Sequence, residues 1–221
     1  PHIVDLPQPN ETLRSSLGIP EDAFVVGRHG GYTTFDIPFI SKAISRALDQ
    51  RHDLWFVMLN TEPFLQHERI IYLPGTWDPI MKANFINTCD VMLHARRQGE
   101  TFGLAMAEFQ FLGKPALCWR GGTDQNHLVM QTDEELIYWT AQDLYTKLVK
   151  LNSDNLPKVP HKAMLRYQPE IVMKKFERVF LSKEGNNGQT KTNLETRIFR
   201  SIRKEIARNI SRTCEAYSRL S

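Results

Sequence analysis

Apolar residues in this chain fall in short unbroken runs: AFVVG at 23–27, LWFVMLN at 54–60, RIIYLP at 69–74, VMLHA at 91–95, PALCW at 115–119 and ELIYW at 135–139. A strand with one wet face alternates apolar and polar residues, and these runs do not. Between them the spacing turns helical. In DIPFISKAISRALDQR (36–51), Ile40, Ala43, Ile44, Ala47 and Leu48 form one stripe, with Asp36 placed as N-cap and Pro38 in the first turn. Further helices are expected at 79–89, at 103–112 with Gly113 just past the end, at 141–151, and in two parts over 161–181 divided near Pro169. ETLRSSLG (11–18) reads as a short helix stopped by Gly18. Buried runs alternating with helices indicate an α/β protein with a parallel sheet of about six strands covered on both faces. Ligands of such sheets sit at the carboxyl ends of the strands. That rule selects the loops 28–36, 60–64, 74–78, 94–103 and 119–126.

The flanks differ from this body. PHIVDLPQPN (1–10) is Pro-rich and linker-like, and its start at Pro1 suggests a piece of a longer protein. Residues 1–182 form the expected domain, 183–193 a polar linker, and 194–221 a basic amphipathic helix. In that last segment Leu194, Ile198, Ile202, Ile206 and Ile210 recur every fourth residue, and Arg200, Lys204, Arg208 and Arg212 follow the same spacing on another face. Such a helix is a candidate membrane-surface or nucleic-acid contact, or a face that docks on another domain. From Lys183 onward nine basic residues face four acidic ones, so +5 of charge lies there and −2 in the body, within a total of +3. The longest apolar runs are too short to span a bilayer. Cys89, Cys118 and Cys214 are odd in number and widely spaced, which fits a reducing, cytoplasmic setting and gives no metal-ligand pattern.

One segment breaks the pattern. In GETFGLAMAEFQFLGKP (99–115) the stretch from Leu104 to Leu112 is apolar except for Glu108 and Gln110, and a second carboxylate, Glu100, stands just before it. The first amides of the helix, at Phe102, Gly103 and Leu104, would form an anion cradle suited to a diphosphate. Eight residues separate Glu100 from Glu108, about 12 Å at most along a helix. Two carboxylates straddling such a cradle can accept hydrogen bonds from hydroxyls on both sides of a diphosphate. The other reading is structural: Glu108 pairs with an arginine, and Glu100 is a solvated loop acid. His94 ends a strand beside the cradle, as a ligand contact or a satisfied strand-end histidine. RHGGYTT (28–34) lacks the lysine of a P-loop.

GETFGLAMAEFQFLGKPAL resembles the E-x7-E segment of the family-4 retaining glycosyltransferases. LRSSLGIPEDAFVVGRHGG, RIIYLPGTWDPIMKANFINTCDVMLHA and RYQPEIVMKKFERVF resemble other blocks of that family's C-terminal domain, in the expected order over about residues 10–182. The resemblance implies the donor-binding, Rossmann-like half of a GT-B fold, inactive without its N-terminal domain. It implies sugar transfer from a nucleotide-diphosphate sugar, UDP- or GDP-linked, to a carbohydrate, lipid or protein acceptor hydroxyl, with retention and with no metal or other cofactor. Carried onto this sequence, Glu100 faces the sugar hydroxyls and Arg28 neutralises the departing phosphate. Glu108 takes the ribose, and Phe102, Gly103 and Leu104 hold the diphosphate. Gly30, Gly31, Thr76, His94 and Arg97 are further donor contacts. The family carries a lysine about five residues after the arginine; here Thr33 occupies that place, and Arg96 or Arg97 is the candidate substitute. The alternative is a non-catalytic nucleotide or nucleotide-sugar binding module.

Overall fold

Buried β-branched and aromatic runs pair side by side here because both faces of each strand have a helix to meet. The computed structural model describes residues 2–131, 133–160 and 164–181. The proposed linker, the basic tail and Cys214 lie outside them. The chain divides into two units, Pro1–Val172 and Met173–Ser221.

In the first unit the strands are β1 (Phe24–His29), β2 (Leu54–Leu59), β3 (Ile70–Leu73), β4 (Val91–His94), β5 (Gly99–Glu100), β6 (Ala116–Trp119), β7 (Asp124–Gln125) and β8 (Ile137–Tyr138). Six of them form one parallel sheet in the order β3-β2-β1-β4-β6-β8. The chain therefore winds outward from β1, returns to β4 and winds the other way. The reversal lies between β1 and β4, where Val26 pairs with Val91 and Gly27 with Met92. Loops leaving these two strands part in opposite directions and open a crevice at their carboxyl ends.

Helices α1 (Ile40–Gln50) and α4 (Ala141–Lys150) cover one face, and α2 (Pro79–Thr88) and α3 (Leu104–Phe111) the other. The α1 stripe of Ile40, Ala43, Ile44, Ala47 and Leu48 is buried against Phe24, Phe56 and Leu93. Each fully buried Ile or Leu side chain contributes roughly 1.5–3 kcal/mol. Val25, Val57 and Met92 point the other way, to Phe85, Met106 and Phe109. Tyr138 is fully buried, whereas Trp55 and Trp119 are half-buried. Cys89 and Cys118 are free, buried thiols pushed up by desolvation.

Three local expectations change. The helix at 36–51 begins at Ile40 with Phe39 as N-cap, and Asp36 instead accepts the Arg97 amide at 2.7 Å. ETLRSSLG makes only turns: Leu17 N–H reaches Leu13 C=O, and Gly18, at φ +68°, ends the turn. The Arg14 side chain ties this turn to Asp90 and to the Glu21 and Ala23 carbonyls. PHIVDLPQPN is irregular, as its prolines require, yet Val4 and Leu6 are buried and the Val4 amide donates to Tyr167 C=O. The last described helix, α5, is Pro169–Phe176, followed by a π-helical turn at Glu177–Leu181. Among the described residues no helix is long and apolar enough to cross a membrane.

Candidate functional site

The α3 N-terminus is built by glycine. Gly103 caps the helix at φ +91°, a conformation unfavourable for other residues, and a Cβ there would lie 3.0 Å from the His127 Cβ. The amides that follow have no acceptor within the helix. Two cavities flank this terminus and both reach Gly30 and Ala105. The larger, about 540 Å³, is lined among others by His29, Asn60, Thr76, Lys82 and Glu108. The smaller, about 30 Å³, is bounded by Arg28, Thr34, His94, Glu100 and Gly103. The two carboxylates thus line different cavities at this helix end, Glu108 the larger and Glu100 the smaller.

Glu108 is 8% exposed and has partners. Lys82 Nζ, reaching across from α2, donates to Oε1 at 2.9 Å. His29 Nε2 lies 3.0 Å from Oε2, off the donor axis, with its ring stacked on Phe109. Burial pushes the Glu108 carboxyl up, but the His29 and Lys82 contacts outweigh it and hold the group below its ordinary value. The partner expected from the structural reading was an arginine; the fold supplies a lysine and a histidine. Both leave acceptor capacity, because an ionised carboxylate has about four lone-pair sites.

Glu100 is held at two points and has His94 beside it. Arg96 Nη1 donates to Oε2 at 2.8 Å, His94 Nε2 stands 3.9 Å from Oε1, and the backbone amide donates to His127 Nδ1 at 3.3 Å. The short β5–β7 pair and the 3-10 turn Asn126–Met130 bring His127 beneath the loop.

Arg28 closes the β1 end. Its guanidinium donates to the carbonyls of Asn60 and Gly31 and to the hydroxyls of Thr61 and Thr34. No carboxylate lies within ion-pairing distance of it among the described residues. Desolvation lowers its pKa to about 10, opposed by the fields of Glu100 and Asp36, so it stays charged at neutral pH. Gly31 C=O thereby anchors Arg28, and Gly30 C=O accepts from Asn60 Nδ2 at 2.7 Å. Asp78 caps α2, accepting from the Ile80 amide at 2.9 Å, and donates through its own amide to the Thr76 hydroxyl.

Of the other expected contacts, Leu104 is exposed at the first turn of α3, and the Phe102 ring lies between His2 and Tyr167. Arg97 is exposed and lines neither cavity, and Thr33 is exposed too. His29, Asn60, Lys82 and His127 were not foreseen. Lys82 sits one turn after the Asp78 cap and so on a definable helix face, but nothing in the sequence aims that face at Glu108.

No family model matches the chain, and no curated protein matches it either. Solved structures do. HepE from Anabaena, in complex with UDP and glucose, superposes with a TM-score of 0.60 at 16% identity, over 77% of this chain and 51% of that one. The fold is α/β and Rossmann-like, as in these GT-B neighbours. TarM from S. aureus, a variant in complex with fondaparinux, alpha-GlcNAc-glycerol and UDP, gives 0.60 at 13% identity over 81% of this chain and 38% of its own. A glycosyltransferase from Rickettsia africae gives 0.54 at 14% identity over 80% and 51%. The chain thus spans about half the length of HepE and of the Rickettsia protein, and less of TarM.

Proposed function

We propose that this chain binds a nucleotide-diphosphate sugar as the donor half of a metal-independent, retaining glycosyltransferase of the family-4 type. The observation that carries the reading is the buried Arg28. A guanidinium with neutral acceptors and no ion pair, beside the amino end of a helix, is a site built to receive an anion. The diphosphate lies on the Phe102, Gly103 and Leu104 amides, Glu108 accepts from the ribose hydroxyls, and Glu100 accepts from the sugar. The nucleotide occupies the larger cavity along Gly30 and Thr76, and the sugar lies toward Gly31 and His94. Positive charge from Arg28 and the helix end stabilises the departing phosphate in the role a metal plays elsewhere. The acceptor hydroxyl attacks the anomeric carbon as the carbon–phosphate oxygen bond breaks, and its proton passes to the leaving diphosphate. Acceptor binding is assigned to an N-terminal domain that would complete a GT-B fold.

A second reading, a non-catalytic nucleotide or nucleotide-sugar module, is favoured by one observation: exposed Thr33 where the family places its phosphate lysine. A thermal-shift screen of the full chain with UDP, GDP, ADP and their glucose conjugates at millimolar concentration tests both readings. At least one nucleoside diphosphate is expected to raise the melting temperature, and Arg28→Met to abolish the rise. No shift with any of them overturns both. Sugar transfer after adding the second domain, lost in Glu100→Ala, separates enzyme from module.

A further inference from the structure

His94 is the least satisfied polar group in this site. Its side chain is 5% exposed, and neither ring nitrogen has a hydrogen-bond partner. A buried donor or acceptor left unsatisfied is costly, so such a group commonly marks a missing ligand or water. Its nearest ring neighbour cannot serve it. His127, 4.4 Å away between centroids, uses Nδ1 to accept from the Glu100 amide and Nε2 to donate to Trp119 C=O. That network assigns His127 a neutral tautomer and makes it a fixed wall against which the His94 ring rests. Below, the His94 carbonyl is fastened by the Tyr138 hydroxyl at 2.7 Å, so the strand end is held as well.

The space in front of His94 is small and of mixed character. The cavity it shares with Glu100, Arg28 and Gly103 is about 30 Å³, room for one hydroxyl or one water. Nε2 of His94 and Oε1 of Glu100 are 3.9 Å apart, too far for a direct hydrogen bond. An oxygen at ordinary hydrogen-bond distance from each, about 2.8 Å, completes a triangle on that base. Burial, with the positive charges of Arg28 and Arg96 nearby, keeps the His94 ring uncharged, so one nitrogen donates and the other accepts. A hydroxyl suits this pair: it donates to the Glu100 carboxylate and accepts from the His94 N–H.

We propose that His94 is a specificity-determining residue that reads, together with Glu100, one hydroxyl of the sugar carried by the donor. The inference rests on the nucleotide-sugar reading above. It narrows the donor to sugars bearing a free hydroxyl at that position and disfavours the corresponding deoxy sugars. A site built to hydrogen-bond a hydroxyl rejects the analogue without it, because the buried groups are then left unpaired.

Calorimetric titration of the full chain with UDP, UDP-glucose and the 2-, 3-, 4- and 6-deoxyglucose conjugates tests this, with the GDP series in parallel. In the unsubstituted chain, one deoxy conjugate is expected to bind at least tenfold more weakly than its parent. His94→Phe, which keeps an aromatic ring and removes both nitrogens, is expected to shrink that difference to the part owed to Glu100 while leaving nucleoside diphosphate affinity unchanged. A ratio of sugar conjugate to free diphosphate that is the same with and without the substitution overturns the proposal and leaves the nucleotide-binding reading intact. Absence of binding by every nucleotide overturns both. Should His94→Phe not fold, the ring nitrogen resonances of His94 in the unsubstituted chain decide: they should move with the sugar conjugate and not with the free diphosphate. Unmoved resonances, or equal movement with both, refute the assignment.

Discussion

Replacing Glu108 by glutamine keeps the shape of the side chain and removes its charge. In the free protein the substitution separates Lys82 from its partner at 2.9 Å. A fully buried pair broken this way costs about 3–5 kcal/mol. Lys82 is 26% exposed and can turn toward water, so solvent screening brings the expected loss of stability to about 1–2 kcal/mol. The effect on ligand is larger in character. Ribose hydroxyls donating to a carboxylate make charge-assisted hydrogen bonds worth about 1.5–3 kcal/mol. At 1.4 kcal/mol per tenfold, UDP should bind roughly ten- to a hundredfold more weakly to Glu108→Gln. Calorimetry with UDP and 2′,3′-dideoxy-UDP isolates the ribose contribution. The native chain should prefer UDP, and the variant should treat the two nearly alike. A variant that folds and still prefers UDP by the native ratio refutes the placement of ribose on Glu108.

The same carboxylate makes stability depend on pH. Its folded value lies below the ordinary carboxyl value of about 4.3, so the stability it confers is present above that value and lost as pH falls through the folded one. Melting temperature should therefore drop more steeply below about pH 4.5 in the native chain than in Glu108→Gln. Gly103→Ala forces a left-handed conformation and brings a Cβ to 3.0 Å from His127, whereas Gly113→Ala, at φ +77°, meets open space. Both should lose about 1–2 kcal/mol of conformational energy in denaturant titrations, with Gly103→Ala losing more. Asp78→Ala removes the α2 cap and should cost about 1 kcal/mol, read as a lower urea midpoint at unchanged m.

The sheet was legible because each strand is a run of apolar residues whose burial needs no knowledge of its neighbours. The carboxylates were legible because Glu108 interrupts an apolar helix and Glu100 precedes it at a recognisable spacing. What escaped depends on contacts between elements. Lys82 is an ordinary helical lysine until α2 packs beside α3, and His127 looks like a turn residue until the two-residue pairing of β5 with β7 draws it under Glu100. Asp36 has the composition of an N-cap but is taken by the Arg97 amide, sixty-one residues away. Local propensity does not register a partner that distant.

A crystal structure of the full chain with bound UDP tests the central claim most directly. The account predicts the diphosphate on the Phe102, Gly103 and Leu104 amides beside Arg28, with the ribose hydroxyls on Glu108 and the base in the larger cavity. A diphosphate seated away from the α3 amino end, or a ribose that leaves Glu108 to Lys82 and His29 alone, would contradict it.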